Sequence, residues 1–312
     1  MIVIVSILFL LSFCFSNLSE VGSSFRLGTN AREISLSNTL AANYNSGFNA
    51  FSNPALLNKV ESKEYGFSVF SLSLDRSIQT FSFSMPLPPK ATIGLSMFRA
   101  STKNIQGYDA LGNPTETEYS AYEGYAMASF AIKINKLFAG MNFKLFKSKL
   151  VDGVEADGIG FDAGLFFEID DKSSIGLKIS NLSSTYNWSF NYNNFNQQYE
   201  EKHPLFYSIA GSSLINISGG SLLILPQFDF YDTSRQIMKI GFEYSIDDIM
   251  YPCYFRIGGK IIKNYDFEDY VISMGFGMPI KLEAFNMEFN YAIDPGLMDE
   301  GVSHIISLSF LN

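Results

Sequence analysis

From residue 64 to the end, apolar and polar side chains alternate with a period of two, in segments of roughly ten residues. That period belongs to a strand whose two faces meet different surroundings, because successive side chains point to opposite sides. In LFAGMNFKLFK, Leu137, Ala139, Met141, Phe143 and Leu145 share one face, against Gly140, Asn142 and Lys144. GIGFDAGLFFEI repeats the pattern, with Ile159, Phe161, Ala163, Leu165 and Phe167 opposite Gly160, Asp162, Gly164 and Glu168. Near the end, Phe285, Met287, Phe289 and Tyr291 oppose Asn286, Glu288 and Asn290. No long segment beyond residue 60 carries a helical period, so the chain is all-β over most of its length.

Fourteen such segments can be counted, near 64–74, 76–85, 91–100, 120–133, 137–147, 158–168, 173–182, 204–214, 221–231, 235–245, 252–262, 270–279, 283–293 and 303–311. Each matches the ~9–11 residues that a tilted strand needs to cross a bilayer. An even count suits an antiparallel transmembrane barrel. If the chain starts inside, the outward connections include the long loops 101–119 and 183–203, with 148–157 between them. The inward ones, such as PLPPK, DDK and NISGG, are short. Outer-membrane barrels have this asymmetry.

A water-soluble sandwich also alternates, so the choice rests on what the faces carry. The polar face holds Asn142, Lys144, Asp162, Lys178, Glu243, Arg256, Lys260 and Glu288, and the opposite face is almost uncharged. A lipid-facing surface must be so, since Arg or Lys at the midplane costs ~2–4 kcal/mol. Tyr231, Tyr244, Tyr251, Tyr270 and Tyr291 fall near segment ends, where bilayer interfaces favour rings. Residues 1–16, MIVIVSILFLLSFCFS, read as a signal peptide cleaved near Ser16, with lipidation at Cys14 as the alternative. Cleavage leaves Cys253 alone, so no internal disulfide forms. The expected location is the bacterial outer membrane, with its lipid as one partner.

Composition excludes other classes. Only 17% of residues are charged and the net charge is −9, so no basic surface for nucleic acid exists. His203 and His304 lie far apart, without the spacing of a catalytic set or of metal ligands. The chain is read as neither an enzyme nor a cofactor protein. Ahead of the first strand, Asn53 and Pro54 in SNPALL form a helix cap and first turn.

The leader GTNAREISLSNTLAANYNSGFNAFSNPALL, with ADGIGFDAGLFFEI, GLKISNLSSTYNW and the closing SHIISLSFLN, resembles the PorV/PorQ branch of the FadL-like outer-membrane proteins. It departs from them in having ISLSNTLAA where the leader usually has a Met-Gly-Gly-Ala-like run. The resemblance implies a 14-stranded antiparallel transmembrane β-barrel, residues 63–312, with a short helical plug or hatch, residues 17–62. Asn53, Pro54 and Ala55 would be its plug motif. It also implies one of two functions. FadL-type members take up hydrophobic compounds such as long-chain fatty acids, and PorV-type members are partners of the type IX protein secretion system.

Two groups of residues are candidate sites. The inward charges alternate in sign from one segment to the next, which suits either cross-strand pairing or a polar path for a ligand headgroup. Gly140, Gly160, Gly164, Gly176 and Gly258 on that face leave room for a plug or a passage. The loop around Tyr186, Trp188, Phe190 and Tyr192 is expected outside the cell, as a grip for a hydrophobic ligand or partner or as an extended interfacial belt.

Overall fold

Alternation along the chain becomes one continuous antiparallel ladder. The computed structural model describes residues 21–109, 111–192, 195–231, 235–246, 252–264, 267–283, 285–296 and 301–312. The signal-peptide segment and Tyr251 lie outside them. The strands are β1 (Glu64–Ser71), β2 (Arg76–Leu87), β3 (Ala91–Tyr108), β4 (Pro114–Ile134), β5 (Leu137–Val151), β6 (Val154–Glu168), β7 (Ser173–Tyr192) and β8 (Phe195–Lys202). They continue as β9 (Phe206–Ile217), β10 (Gly220–Tyr231), β11 (Gln236–Ile246), β12 (Cys253–Asn264), β13 (Phe267–Lys281), β14 (Asn286–Asp294) and β15 (Ser303–Leu311). Each pairs with its sequence neighbour except at β8, and β1 pairs with β15 to close the ring. β8 pairs only with β7, so fifteen strands make a fourteen-membered barrel.

Side chains sort as the alternation requires. Val69, Leu95, Met141, Phe143, Phe255 and Ile272 stand exposed on the exterior, and Ser68, Thr80, Ser82, Ser96, Ser129 and Asn142 are buried inside. An apolar exterior around a polar interior suits a barrel bathed in lipid. No described helix is long and apolar enough to cross a membrane, and the strands do the crossing.

The sequence placed long loops at 101–119, 148–157 and 183–203, and there the structure differs. β3 and β4 run on as a hairpin to Tyr108 and Pro114, β5 and β6 to Val151 and Val154, and β7 and β8 to Tyr192 and Phe195. Past the bilayer both faces of a strand meet water or a wet lumen, so the hydrophobic period fades while the hydrogen-bond ladder continues. Above Asn104, whose side chain and the Lys103 N–H still reach Asp75, and above Tyr122, the β3–β4 hairpin pairs only with itself among the described residues, and both its edges are free.

One wall position is irregular. β7 pairs with β9 up to Ser180–Phe206 and with β8 only from Thr185–Lys202, so the wall breaks across His203, Pro204 and Leu205. Pro204 has no N–H to give the ladder. Opposite it, Asn181 (φ 66°) and Ser183 (φ 48°) are left-handed, and the β6–β7 register shifts near Phe161. The break is tied by Asn181 Nδ2 to the Pro204 carbonyl (3.0 Å) and by the His203 N–H to the Ser184 carbonyl (2.9 Å). Such a bulge re-aims side chains, and here it turns His203 inward.

Ahead of β1 the chain folds into the lumen as short turns and helices: Ser23–Arg26, Ala31–Ser35, Leu40–Ala42, Asn49–Ser52 and Pro54–Lys59. None is long enough to be stable alone. Caps and docking hold them. Asn30 Oδ1 accepts the Glu33 N–H (3.0 Å), and Glu33 Oε2 accepts the Thr29 N–H (3.0 Å). Ser273 Oγ donates to the Ile34 carbonyl (2.6 Å), and the Ala31 N–H donates to Ser307 Oγ (3.2 Å).

Candidate functional site

The N-terminal segment touches the wall where the wall has glycine. At Gly164 a methyl group would sit 1.9 Å from Asn53 Oδ1, and at Gly140 one would sit 2.3 Å from the Pro54 carbonyl carbon. Gly140 and Gly164 are direct cross-strand partners, so they form one smooth patch. Gly241 and Gly258 form a second, against Leu36, Ser37 and Thr39. Asn53 is wholly buried and spends its polar atoms on both chain and wall. Its Oδ1 accepts the Ala55 N–H (3.1 Å), and its Nδ2 faces the carbonyls of Ala41 (2.8 Å), Leu165 (3.2 Å) and Leu177 (3.3 Å). Pro54 and Ala55 are buried beside it.

The inward charges are committed to one another and to this segment. Lys144 Nζ lies 2.8 Å from Asp162 Oδ1, and Asn142 Nδ2 donates both to Asp162 Oδ2 (3.0 Å) and to the Ala50 carbonyl (3.0 Å). Lys178 Nζ donates to the Phe51 carbonyl (2.6 Å). On the other side, Glu243 sits between two guanidinium groups. Arg32 holds it through Nε (2.8 Å) and Nη2 (3.0 Å), and Arg256 bonds it while reaching Glu288 (3.2 Å). Burial opposes the charge on Arg32, but the Glu243 carboxylate outweighs it and raises the pKa. Tyr44 hydrogen-bonds Glu64, and burial, then that carboxylate, push its phenol up. Lys260 stands apart from these, 3.9 Å from Asp294. Arg32 was not foreseen from the sequence, because nothing in a leader's composition says which wall residue it will meet.

Three cavities stand out among the described residues. The largest, about 710 Å³, opens at the rim carrying the β1–β2 turn and the β3–β4 hairpin. Its walls include Leu72, Ile78, Tyr122, Trp188, Ile237 and Ile262. A second, about 410 Å³, lies at the opposite rim beside Arg32, Tyr44, Phe166 and the Asp170–Ser174 turn. A third, about 100 Å³, lies between them and includes Phe25, Glu33, Asp162 and Phe206. Val21, Gly22 and Arg26 border both the largest and the middle cavity, so the start of the N-terminal segment is the partition between them. Arg32 and Ala42 face the second cavity while Glu33 and Ala41 face the middle one, so the 31–42 stretch is the next partition.

Tyr186, Trp188, Phe190 and Tyr192, expected on an outer loop, belong instead to β7. Tyr186 and Trp188 are buried on the inner face, and Phe190 packs against them. For Tyr192 only the backbone is described. Tyr231 also turns inward rather than lying in an interfacial belt. The inner pull on these rings comes from Phe25, Phe146 and His203, a cluster whose members lie too far apart in the sequence for a local pattern to join them. His304 is at the surface, 2.7 Å from the Tyr291 hydroxyl, and Cys253 is a free thiol. No group of three metal-ligating side chains occurs among the described residues.

No family model and no curated protein matches the sequence. Solved structures do. The toluene transporter TodX of Pseudomonas putida aligns over 88% of this chain and 96% of its own, with TM-score 0.58 and 11% identity. The monoaromatic hydrocarbon channel CymD aligns over 91% and 96%, with TM-score 0.61 and 12% identity. A FadL homologue of Pseudomonas aeruginosa aligns over 90% and 97%, with TM-score 0.57 and 10% identity. TodX is a transporter and CymD a channel, not enzymes. The alignments run over 88–91% of this chain at TM-scores of 0.57–0.61: this protein has the fold of the FadL-like barrels.

Proposed function

We propose that the protein is a passive outer-membrane channel for hydrophobic small molecules, long-chain fatty acids among them. Residues 1–16 export it, residues 17–62 are its plug, and residues 63–312 are its barrel. The observation that carries this reading is the cavity of about 710 Å³ at the hairpin rim, whose walls set aromatic and aliphatic side chains beside charged ones such as Arg76, Glu123 and Lys260, with the N-terminal segment as its floor. Its size suits a small ligand, and Leu72, Ile78, Tyr122, Trp188, Ile237 and Ile262 give it the apolar contacts such a ligand needs. The neighbours' transport of toluene and other monoaromatic hydrocarbons supports the same reading. The experiment is uptake of labelled oleate and toluene into vesicles with a lipopolysaccharide outer leaflet. Vesicles holding the protein should fill faster than empty ones, and equal rates end the proposal.

A PorV-like role as a partner of the type IX secretion system is the second reading, supported by the resemblance of the leader. The projecting β3–β4 hairpin, with free edges and exposed Tyr108 and Leu111, offers a surface for strand addition by a protein. Its test is pull-down from a cell that has this secretion system. Recovery of its components supports the role, and their absence removes it.

A further inference from the structure

Beneath the floor of the large cavity, on the wall of the middle one, Phe25 stands in a cage of rings. Its centroid lies 5.0 Å from Tyr125, 5.3 Å from Phe98, 5.8 Å from Phe146 and 6.0 Å from His203. Tyr186 completes the cage, 4.6 Å from His203 and 5.7 Å from Phe146. The cage rings belong to β3, β4, β5, β7 and the wall break, and all are buried, whereas Phe25 is only partly so. Phe25 comes from the segment that separates the large cavity from the middle one.

The cage also holds polar atoms with nothing to bond. The Tyr186 hydroxyl and both ring nitrogens of His203 have no hydrogen-bond partner among the described residues, although Tyr186 is 1% and His203 5% exposed. Buried polar groups are normally paired, and an orphaned set calls for an explanation. Phe25 fills the space with a ring that has no hydrogen-bonding atom. Burial, then the charges of Lys144 and Arg26, push the His203 pKa down to about 3, so the imidazole is neutral and keeps one donor and one acceptor.

We propose that this cage is a binding site for a monocyclic aromatic ring bearing a hydroxyl group, and that Phe25 occupies it as a removable stand-in. The ligand ring takes the edge-to-face contacts that Phe25 now makes with Phe98 and Tyr125 and the stacked ones with Phe146 and His203. Its hydroxyl, at once donor and acceptor, joins the imidazole and the Tyr186 hydroxyl. Displacing Phe25 moves residues 21–26 and joins the large cavity to the middle one. The inference rests on the channel reading above, and adds to it a ligand class and a gate.

The chain's single tryptophan, Trp188, lies 5.6 Å from Tyr186 and reports on the cage. The full chain in detergent is titrated with p-cresol and with toluene, following Trp188 emission. Affinities are referred to the free aqueous concentration of each compound, measured by equilibrium dialysis, so that unequal partition into micelles does not enter the ratio. The expected result is p-cresol binding about tenfold tighter than toluene, the gain of one well-made buried hydrogen bond. Phe25→Ala should tighten both by removing the competitor. His203→Phe and Tyr186→Phe keep the rings and should bring the ratio near one. Unchanged affinities in Phe25→Ala, or an unchanged ratio in both other variants, overturn the proposal. If toluene crosses vesicles while the native ratio is one, the cage falls and the channel stands. If the cage ratios hold while no compound crosses, the channel reading falls alone.

Discussion

Glu243 joins the N-terminal segment to the wall. Its carboxylate neutralises Arg32 from the segment and Arg256 from β12, and both guanidinium groups are buried. Removing the carboxylate leaves two cations facing each other in the lumen, and breaking a buried pair this way costs ~3–5 kcal/mol. Glu243→Ala should therefore lower the free energy of urea unfolding in micelles by that much, while an exposed control such as Asp109→Ala leaves it in place. Asn53 works by hydrogen bonds alone. Asn53→Ala uncaps the Pro54–Lys59 turn and strips the carbonyls of Ala41, Leu165 and Leu177 of their donor. A loss of ~1–3 kcal/mol is expected in the same measurement. Asn53→Asp tests the assignment further, since it retains the cap but turns a buried carboxylate oxygen onto the same three carbonyls, and it should cost at least as much as Asn53→Ala.

At the scale of elements, the glycine patches and the N-terminal turns define each other. β5 and β6 are flat at Gly140 and Gly164 because Asn53 and Pro54 lie against them, and β11 and β12 are flat at Gly241 and Gly258 for the 36–39 stretch. Gly164→Leu places a side chain where Asn53 Oδ1 now lies, so the turn must lift off while the wall pairing persists. The expected readout is protease cleavage within residues 40–60 of the variant but not of the native protein, with the barrel still resistant to heating in detergent. The strands were legible in the sequence because lipid sets one face and the lumen the other, as along Leu137–Leu145. The hairpin extensions were not, since Thr115 to Tyr119 have water on both faces and keep no period. Tyr186 and Trp188 were misplaced for the same reason: a ring-rich stretch beyond the last clear alternation reads as a loop until His203 and Phe25, far apart in sequence, are brought to its inner side. Pairings within the wall, such as Lys144 with Asp162, follow from neighbouring segments. Pairings with the leader, such as Arg32 with Glu243, depend on a path across the lumen that no local pattern encodes.

For the whole molecule, the barrel and its filling have separable stabilities. The wall is closed by β1 and β15 through backbone hydrogen bonds from Glu64–Leu311 to Ser71–His304, none of which involves the N-terminal segment. Its exterior is held by lipid, so Phe143→Arg, on the exposed face of β5, should cost ~2–4 kcal/mol without altering the lumen. Removing residues 21–60 should act the opposite way. It leaves the wall ladder intact, frees Gly140, Gly164, Gly241 and Gly258, and merges the cavities of about 710, 100 and 410 Å³ that the segment divides. The inward charges Lys144, Asp162, Lys178, Glu243 and Arg256 then line a water-filled bore instead of bonding the segment. A planar bilayer holding the deletion variant should pass a steady ionic current, and one holding the native protein should pass almost none. Equal currents from both would mean that the segment does not close the barrel, and that the partition at Val21 to Arg26 gates nothing.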